Sequence, residues 1–121
     1  MTLHAPTTKR LTTLLLPVAL AALFGASTSA FAAVDADAAQ ALAKKNDCFK
    51  CHAIDKAKKG PALKKIAAKY KGKADGQEKV IKNFTTGVKV KMEDGSEEDH
   101  KVIDTKDTAA IKNLADWILA Q

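Results

Sequence analysis

One five-residue stretch, Cys48-Phe49-Lys50-Cys51-His52, contains both cysteines of the chain. In a short helical turn, residues three positions apart lie on the same side, so the two thiols can bond neighbouring points of one planar group. The histidine that follows can place a ring nitrogen beneath that plane. A bare Cys-x-x-Cys pair also occurs in thiol redox enzymes and zinc sites, but the added histidine is the signature of c-type haem attachment. We therefore predict one covalent haem c on Cys48 and Cys51, with His52 as an axial iron ligand.

The first 32 residues have the pattern of a secretory signal. Lys9 and Arg10 form a positive start, residues 11–25 are mainly apolar, and Ala30-Phe31-Ala32 has the small-x-small form of a cleavage site. Threonines, a proline and a glycine leave the apolar run short of the ~20 residues that a membrane span needs. We expect cleavage after about Ala32 and export to the periplasm without a stable membrane anchor.

Residues 33–121 are then expected to form a single domain. A chain of this size builds only a small core, and residues 33–121 contain only four aromatic residues. A covalent haem would supply the missing apolar centre. Four stretches have the three- and four-residue apolar spacing of helices. These stretches are residues 35–45, 61–71, 75–84 and 105–120.

Local signals refine three of these helices. In the first helix, Ala38 and Leu42, with Ala41 as a candidate third member, are expected to form the apolar stripe that packs against the last helix. Pro61 suits the first turn of the second helix. Asp75 precedes Glu78 by three residues, which predicts a capping box.

Residues 88–103 have the pattern of a small β-hairpin rather than a helix. Val88, Val90 and Met92 alternate with charged residues, and Asp94-Gly95 is a hairpin turn signal. A turn centred near Ser96 would bring Met92 and His100 close together across the pair, with residues 102–103 returning beside the first arm.

Charge is distributed unevenly along the chain. Between Lys44 and Lys82 there are 13 lysines and 4 acidic residues, a local charge of +9, whereas residues 83–121 have 5 lysines and 8 acidic residues, a local charge of −3. An exported protein rarely meets nucleic acid, and the lysines are not interleaved with aromatic residues, so nucleic acid is not expected as a partner. The basic segment either steers the protein toward acidic redox partners or serves only for solubility.

These features together resemble the small bacterial class I cytochromes c. The resemblance implies an all-α fold of about four helices around one haem, with a hydrogen bond from His52 to the Pro61 carbonyl. It also implies single-electron transfer between periplasmic or membrane-bound redox proteins, without enzymatic activity. The matching segments are LAKKNDCFKCHAID, KKGPALKKIAAKYKG and LADWILAQ.

The sixth iron position departs from the family pattern, in which a methionine, usually followed by proline, precedes the last helix. Counting forward from Asn83 places Met92 near that position, whereas counting back from Trp117 places His100 there. We take Met92 as the expected ligand, because a thioether is the common choice, and His100 as the alternative. A weakly held sixth position would instead suit a haem-based gas binder or sensor. A thiol oxidoreductase without haem is a third possibility, although no βαβ pattern surrounds the motif.

Overall fold

The computed structural model describes residues 33–92 and 94–121, together with Met1 and Thr2. Most of the predicted signal, residues 1–32, therefore lies outside the described residues. The elements are α1 (Ala36–Lys45), α2 (Cys48–Cys51), α3 (Leu63–Tyr70), α4 (Gly76–Thr85), β1 (Lys89–Lys91), β2 (Glu97–Asp99) and α5 (Thr108–Leu119). The predicted all-α fold with a small hairpin is confirmed. No helix in the described part of the chain is long and apolar enough to cross a membrane.

Helices α1 and α5 pack against each other, and both contribute residues to the hydrophobic core. Ala39 and Ala43 lie one turn apart on α1 and are almost fully buried, while Leu114 and Ala115 are buried on α5. Small side chains on α1 permit a close approach of the two helices. The α1 stripe was predicted only in part: Leu42 packs against the core, whereas Ala38 and Ala41 are exposed. Alanines occupy so many positions of α1 that periodicity does not identify the buried face.

Aspartates cap the two packed helices. The Asp35 carboxylate accepts a hydrogen bond from the Ala38 amide, and the Asp107 carboxylate accepts from the amides of the first turn of α5. Asn113 links the two helices, because its side chain accepts a hydrogen bond from the Asp35 amide and donates one to the Asp35 carbonyl. Such caps satisfy amides that a helix leaves without partners.

One predicted helix start and one predicted helix cap were wrong. The second helix begins at Leu63 rather than at Pro61, since residues 53–62 form a loop. Asp75 precedes α4, but its side chain makes no capping hydrogen bond. Its carboxylate instead pairs with Lys79 at 2.7 Å, one turn along the helix.

The hairpin has a different register from the one expected. Lys89 pairs with Asp99 and Lys91 pairs with Glu97, so the turn is centred near Asp94 rather than near Ser96. The Met92 amide donates to the Ser96 carbonyl, and the His100 amide donates to the Val88 carbonyl. Met92 therefore lies at the turn and His100 at the open end, and the two do not face each other across the strands.

Asn46 is the one buried polar residue among the described residues and is 3 % exposed. Its side-chain oxygen accepts a 2.7 Å hydrogen bond from the Asp104 amide, and its side-chain nitrogen donates to the Leu42 carbonyl. Asn46 thus ties the end of α1 to the segment between the hairpin and α5.

We expect Asn46→Ala to lower the free energy of unfolding of the holoprotein by about 1–3 kcal/mol, because the partly buried hydrogen bond to the Asp104 amide is lost. Asn113→Ala is the matched control; its hydrogen bonds are exposed and water can replace them, so the loss should be under about 1 kcal/mol. Denaturant unfolding measures both. Equal losses in the two variants would contradict the structural role given to Asn46.

Candidate haem-binding site

The Cys-x-x-Cys-His stretch forms one short helical turn. Asp47 precedes it in the left-handed region, with φ 59°, and the Lys50 and His52 amides donate to the carbonyls of Asp47 and Cys48 at 2.9 Å. Phe49 anchors the turn to α5, because its ring meets the Trp117 ring edge-on at a centroid distance of 6.3 Å. The turn leaves Cys48 and Cys51 half-buried on the wall of one cavity.

The loop after the motif fixes the His52 ring. The Gly60 amide donates to the Cys51 carbonyl at 2.8 Å, and the Leu63 amide donates to the Ala53 carbonyl. These bonds bring the Pro61 carbonyl within 2.7 Å of His52 Nδ1. Nδ1 therefore carries the hydrogen and donates it, which leaves Nε2 with a free lone pair for a metal. The hydrogen bond that the resemblance implied is present.

Gly60 packs directly against the same ring. A Cβ at this position would lie 2.7 Å from His52 Cε1 and 3.1 Å from Nδ1, closer than a real Cβ contact allows. The glycine is required by this close approach. Sequence reasoning did not single it out, although its place beside Pro61 was the available signal.

The cavity beside the motif has a volume of about 650 Å³, within the roughly 300–1,000 Å³ range of ligand pockets. Helices α3, α4 and α5 line it with apolar side chains, and the two thiols and His52 lie at one side. A flat apolar group with two attachment points and a metal centre fits this combination of wall and donors. The apolar lining comes from Leu63, Ile66, Val80, Phe84, Leu114 and Ile118.

Met92 and His100, the two candidates for the sixth position, both line this cavity. The imidazole rings of His52 and His100 have centroids 6.0 Å apart and planes inclined by 33°. His100 Nδ1 lies 2.9 Å from the Lys101 carbonyl. Burial lowers the pKa of His100, the hydrogen bond to Lys101 opposes that shift, and nearby His52 lowers the pKa further. The net lowering of the pKa favours the neutral form of the His100 ring.

The thiol environment differs from that of a redox-active cysteine. Burial raises the pKa of the Cys48 thiol. Catalytic thiols in Cys-x-x-Cys oxidoreductases have a lowered pKa, because the thiolate is the nucleophile. This difference disfavours the thiol oxidoreductase hypothesis.

We expect Gly60→Ala to displace the His52 ring and to weaken its axial bond in the haem-loaded protein. The visible spectrum should then show a high-spin fraction that is absent from the unchanged protein. Gly72→Ala is the control. Gly72 follows the end of α3, and nothing lies within 4 Å of the Cβ that alanine would add. That variant should lose only stability, since its φ of 76° strains alanine by about 1 kcal/mol. An unchanged spectrum in Gly60→Ala would contradict the close packing.

Comparison with known proteins agrees with this site. The family model described as Cytochrome c matches residues 36–121. Cytochrome c-552 of Nitrosomonas europaea is 40% identical over 94 residues, which cover 74% of this chain and 80% of that protein. Cytochrome c-551 of Pseudomonas aeruginosa is 32% identical over 110 residues, which cover 87% of this chain and 97% of that protein.

A solved structure extends the likeness to three dimensions. The class 1 cytochrome MtoD from Sideroxydans lithotrophicus is 57% identical, with a TM-score of 0.69, and the match covers 73% of this chain and 97% of that chain. The motif and the apolar cavity provide what one covalently bound haem c requires. The chain belongs to the cytochrome c family, whose members are haem-based electron carriers.

Proposed function

We propose that the mature chain is a periplasmic single-electron carrier, with a haem attached to Cys48 and Cys51 and ligated by His52. The observation that carries this proposal is the convergence of both thiols and His52 on one apolar cavity, with His52 Nδ1 held by the Pro61 carbonyl at 2.7 Å. When bound, the haem supplies one iron that alternates between ferrous and ferric states. We propose no enzymatic activity.

Each group at the site has a separate task. Cys48 and Cys51 would hold the porphyrin through thioether bonds, and His52 would offer Nε2 to its iron. The Pro61 carbonyl fixes the ring and raises its basicity, as outer-shell partners of metal-bound histidines do. Gly60 leaves the space that the ring occupies. A ring held from two sides keeps its position in both oxidation states, so little atomic rearrangement accompanies electron transfer.

The apolar lining excludes water from the site. Leu63, Val80, Phe84 and Leu114 are each 5 % exposed or less, so this part of the cavity is a region of low dielectric. Burial of this kind is one of the means by which a protein tunes the potential of its iron. Cys48 and Phe49, which are partly buried, also pack on this core, and they join the attachment turn to it.

The surface beside the motif carries lysines that can guide a partner. Lys50, Lys56, Lys58 and Lys59 are all exposed. Lys58 donates to the Phe49 carbonyl, and Lys50 pairs with Asp47 at 3.1 Å, so two of the four are already held near the turn. We propose that they steer the protein toward acidic faces of periplasmic or membrane-bound redox proteins.

The gas-binding alternative requires an open or weakly held sixth position. Two side chains able to bind iron, Met92 and His100, line the cavity. We therefore favour an electron carrier whose iron has both axial positions filled.

We expect the exported protein to begin near Ala33 and to retain one haem after denaturation. Intact-mass measurement under denaturing conditions should give the mass of residues 33–121 plus one haem, since thioether bonds survive unfolding. Cys48→Ala combined with Cys51→Ala should remove the haem mass, and each single variant should retain one bond. A haem-free chain with a Cys48–Cys51 disulfide would contradict the proposal, and an unprocessed N-terminus would contradict the cleavage.

We expect the electron-transfer rate to an acidic redox protein to fall as salt is raised, because ions screen exposed charges over about 10 Å at 0.1 M ionic strength. Charge reversal at Lys56 and Lys59 should reduce both the rate at low salt and its salt dependence. Charge reversal at Lys106, which is exposed and lies outside the lysine-rich segment, is the control. Equal effects of both changes would refute steering by this surface.

A further inference from the structure

We propose that His100 is the sixth ligand of the haem iron, so that the metal is held between two imidazoles. This inference rests on the proposed function, because it needs the haem on Cys48 and Cys51. It replaces the methionine that the sequence favoured with a histidine. Separation of the rings, their hydrogen bonds and the register of the hairpin each support it.

The separation of the two rings matches that of a pair of axial ligands. Metal–imidazole bonds are about 2 Å long, and a ring nitrogen lies about 1 Å from the ring centroid, so two imidazoles on opposite sides of one metal have centroids roughly 6 Å apart. The centroids of His52 and His100 are 6.0 Å apart. Both rings line the same cavity, so one metal can reach both.

Hydrogen bonds prepare both rings in the same way. His52 Nδ1 contacts the Pro61 carbonyl at 2.7 Å, and His100 Nδ1 contacts the Lys101 carbonyl at 2.9 Å. A carbonyl can only accept, so each Nδ1 carries the hydrogen and each Nε2 has a free lone pair. Metal-bound histidines almost always have such a partner on their other nitrogen.

The backbone segment that contains His100 is bonded to the first hairpin strand, to α4 and to residues next to the haem-attachment turn. The His100 amide donates to the Val88 carbonyl at 2.9 Å. Lys101 Nζ pairs with Asp47, the residue before Cys48, at 3.1 Å. The Ile103 amide, three residues after His100, donates to the Phe84 carbonyl. The Asp104 amide donates to the Asn46 side chain. These contacts position the backbone around His100 relative to α4 and the attachment turn.

Met92 occupies a different part of the hairpin. Its amide donates to Ser96 and its carbonyl accepts from Gly95, so it belongs to the turn. The Val88 carbonyl accepts the hydrogen bond from the His100 amide, and Val88 precedes Met92 by four residues. At about 3.3 Å per residue, the Met92 backbone lies roughly 13 Å further along the strand than that pair. The whole hairpin would therefore have to shift before Met92 could take the place of His100 opposite His52. Near the hairpin tip, Met92 also lines a second, smaller pocket together with Lys58 and Lys59.

Bis-histidine ligation has two consequences for the carrier. Exchange of a thioether for an imidazole lowers the reduction potential of a c-type haem. The protein would then exchange electrons with lower-potential partners than carriers with a methionine ligand. Two held imidazoles also leave no open site for a diatomic gas.

The test compares His100→Ala with Met92→Leu in the full haem-loaded protein. His100→Ala should lose the six-coordinate low-spin spectrum at neutral pH, and its reduced form should bind carbon monoxide. Added imidazole should restore the low-spin spectrum, which a merely structural loss would not allow. Met92→Leu should keep the spectrum and the potential of the unchanged protein. Loss of low-spin character in Met92→Leu, together with its retention in His100→Ala, would overturn the proposal.

His100→Met is the second variant and guards against poor folding of His100→Ala. It should remain low-spin, gain the weak long-wavelength band of iron–sulfur ligation, and have a raised potential. An unchanged spectrum in this variant would also refute the assignment. Intact mass separates the two hypotheses: a chain without covalent haem refutes the proposed function, whereas haem retained with Met92 as ligand refutes only the role of His100.

Discussion

The hydrogen bond between His52 Nδ1 and the Pro61 carbonyl, at 2.7 Å, is the constraint on which the site depends. It sets the tautomer of the ring and, with Gly60 against the ring face, its orientation. The loop that supplies both residues is held to the motif by the Gly60 amide and to α3 by the Leu63 amide. A four-residue helix could not orient a metal ligand alone, so the loop performs that task.

The rest of the domain encloses the cavity beside this ring. Helices α1 and α5 meet through the small residues Ala39, Ala43 and Ala115, which bring their backbones close and leave the larger side chains of α3, α4 and α5 for the cavity wall. Asn46 joins the end of α1 to Asp104, and Lys101 pairs with Asp47. The attachment turn and the segment after the hairpin are therefore coupled, and both contribute a histidine to the cavity.

The sequence predicted the features that depend on local pattern. The haem motif has a fixed spacing, and the helical spacing over residues 105–120 predicted α5, in which Leu114, Ala115 and Ile118 are buried. Features that depend on long-range packing were missed. Periodicity could not separate Ala39 from Ala38 in an alanine-rich helix, and turn chemistry did not give the hairpin register that moves His100 away from Met92. The sixth ligand is such a case, because it depends on which end of a hairpin faces His52.

The most direct measurement of the central claim, two imidazoles held across one metal, is proton NMR of the ferrous haem-loaded protein. The ring current of a porphyrin shifts protons directly above and below its plane far upfield. We predict that imidazole protons of two histidines, His52 and His100, are shifted in this way and that the Met92 methyl resonance stays near its ordinary position. A Met92 methyl resonance shifted far upfield, with ring protons of only one histidine, would contradict the account.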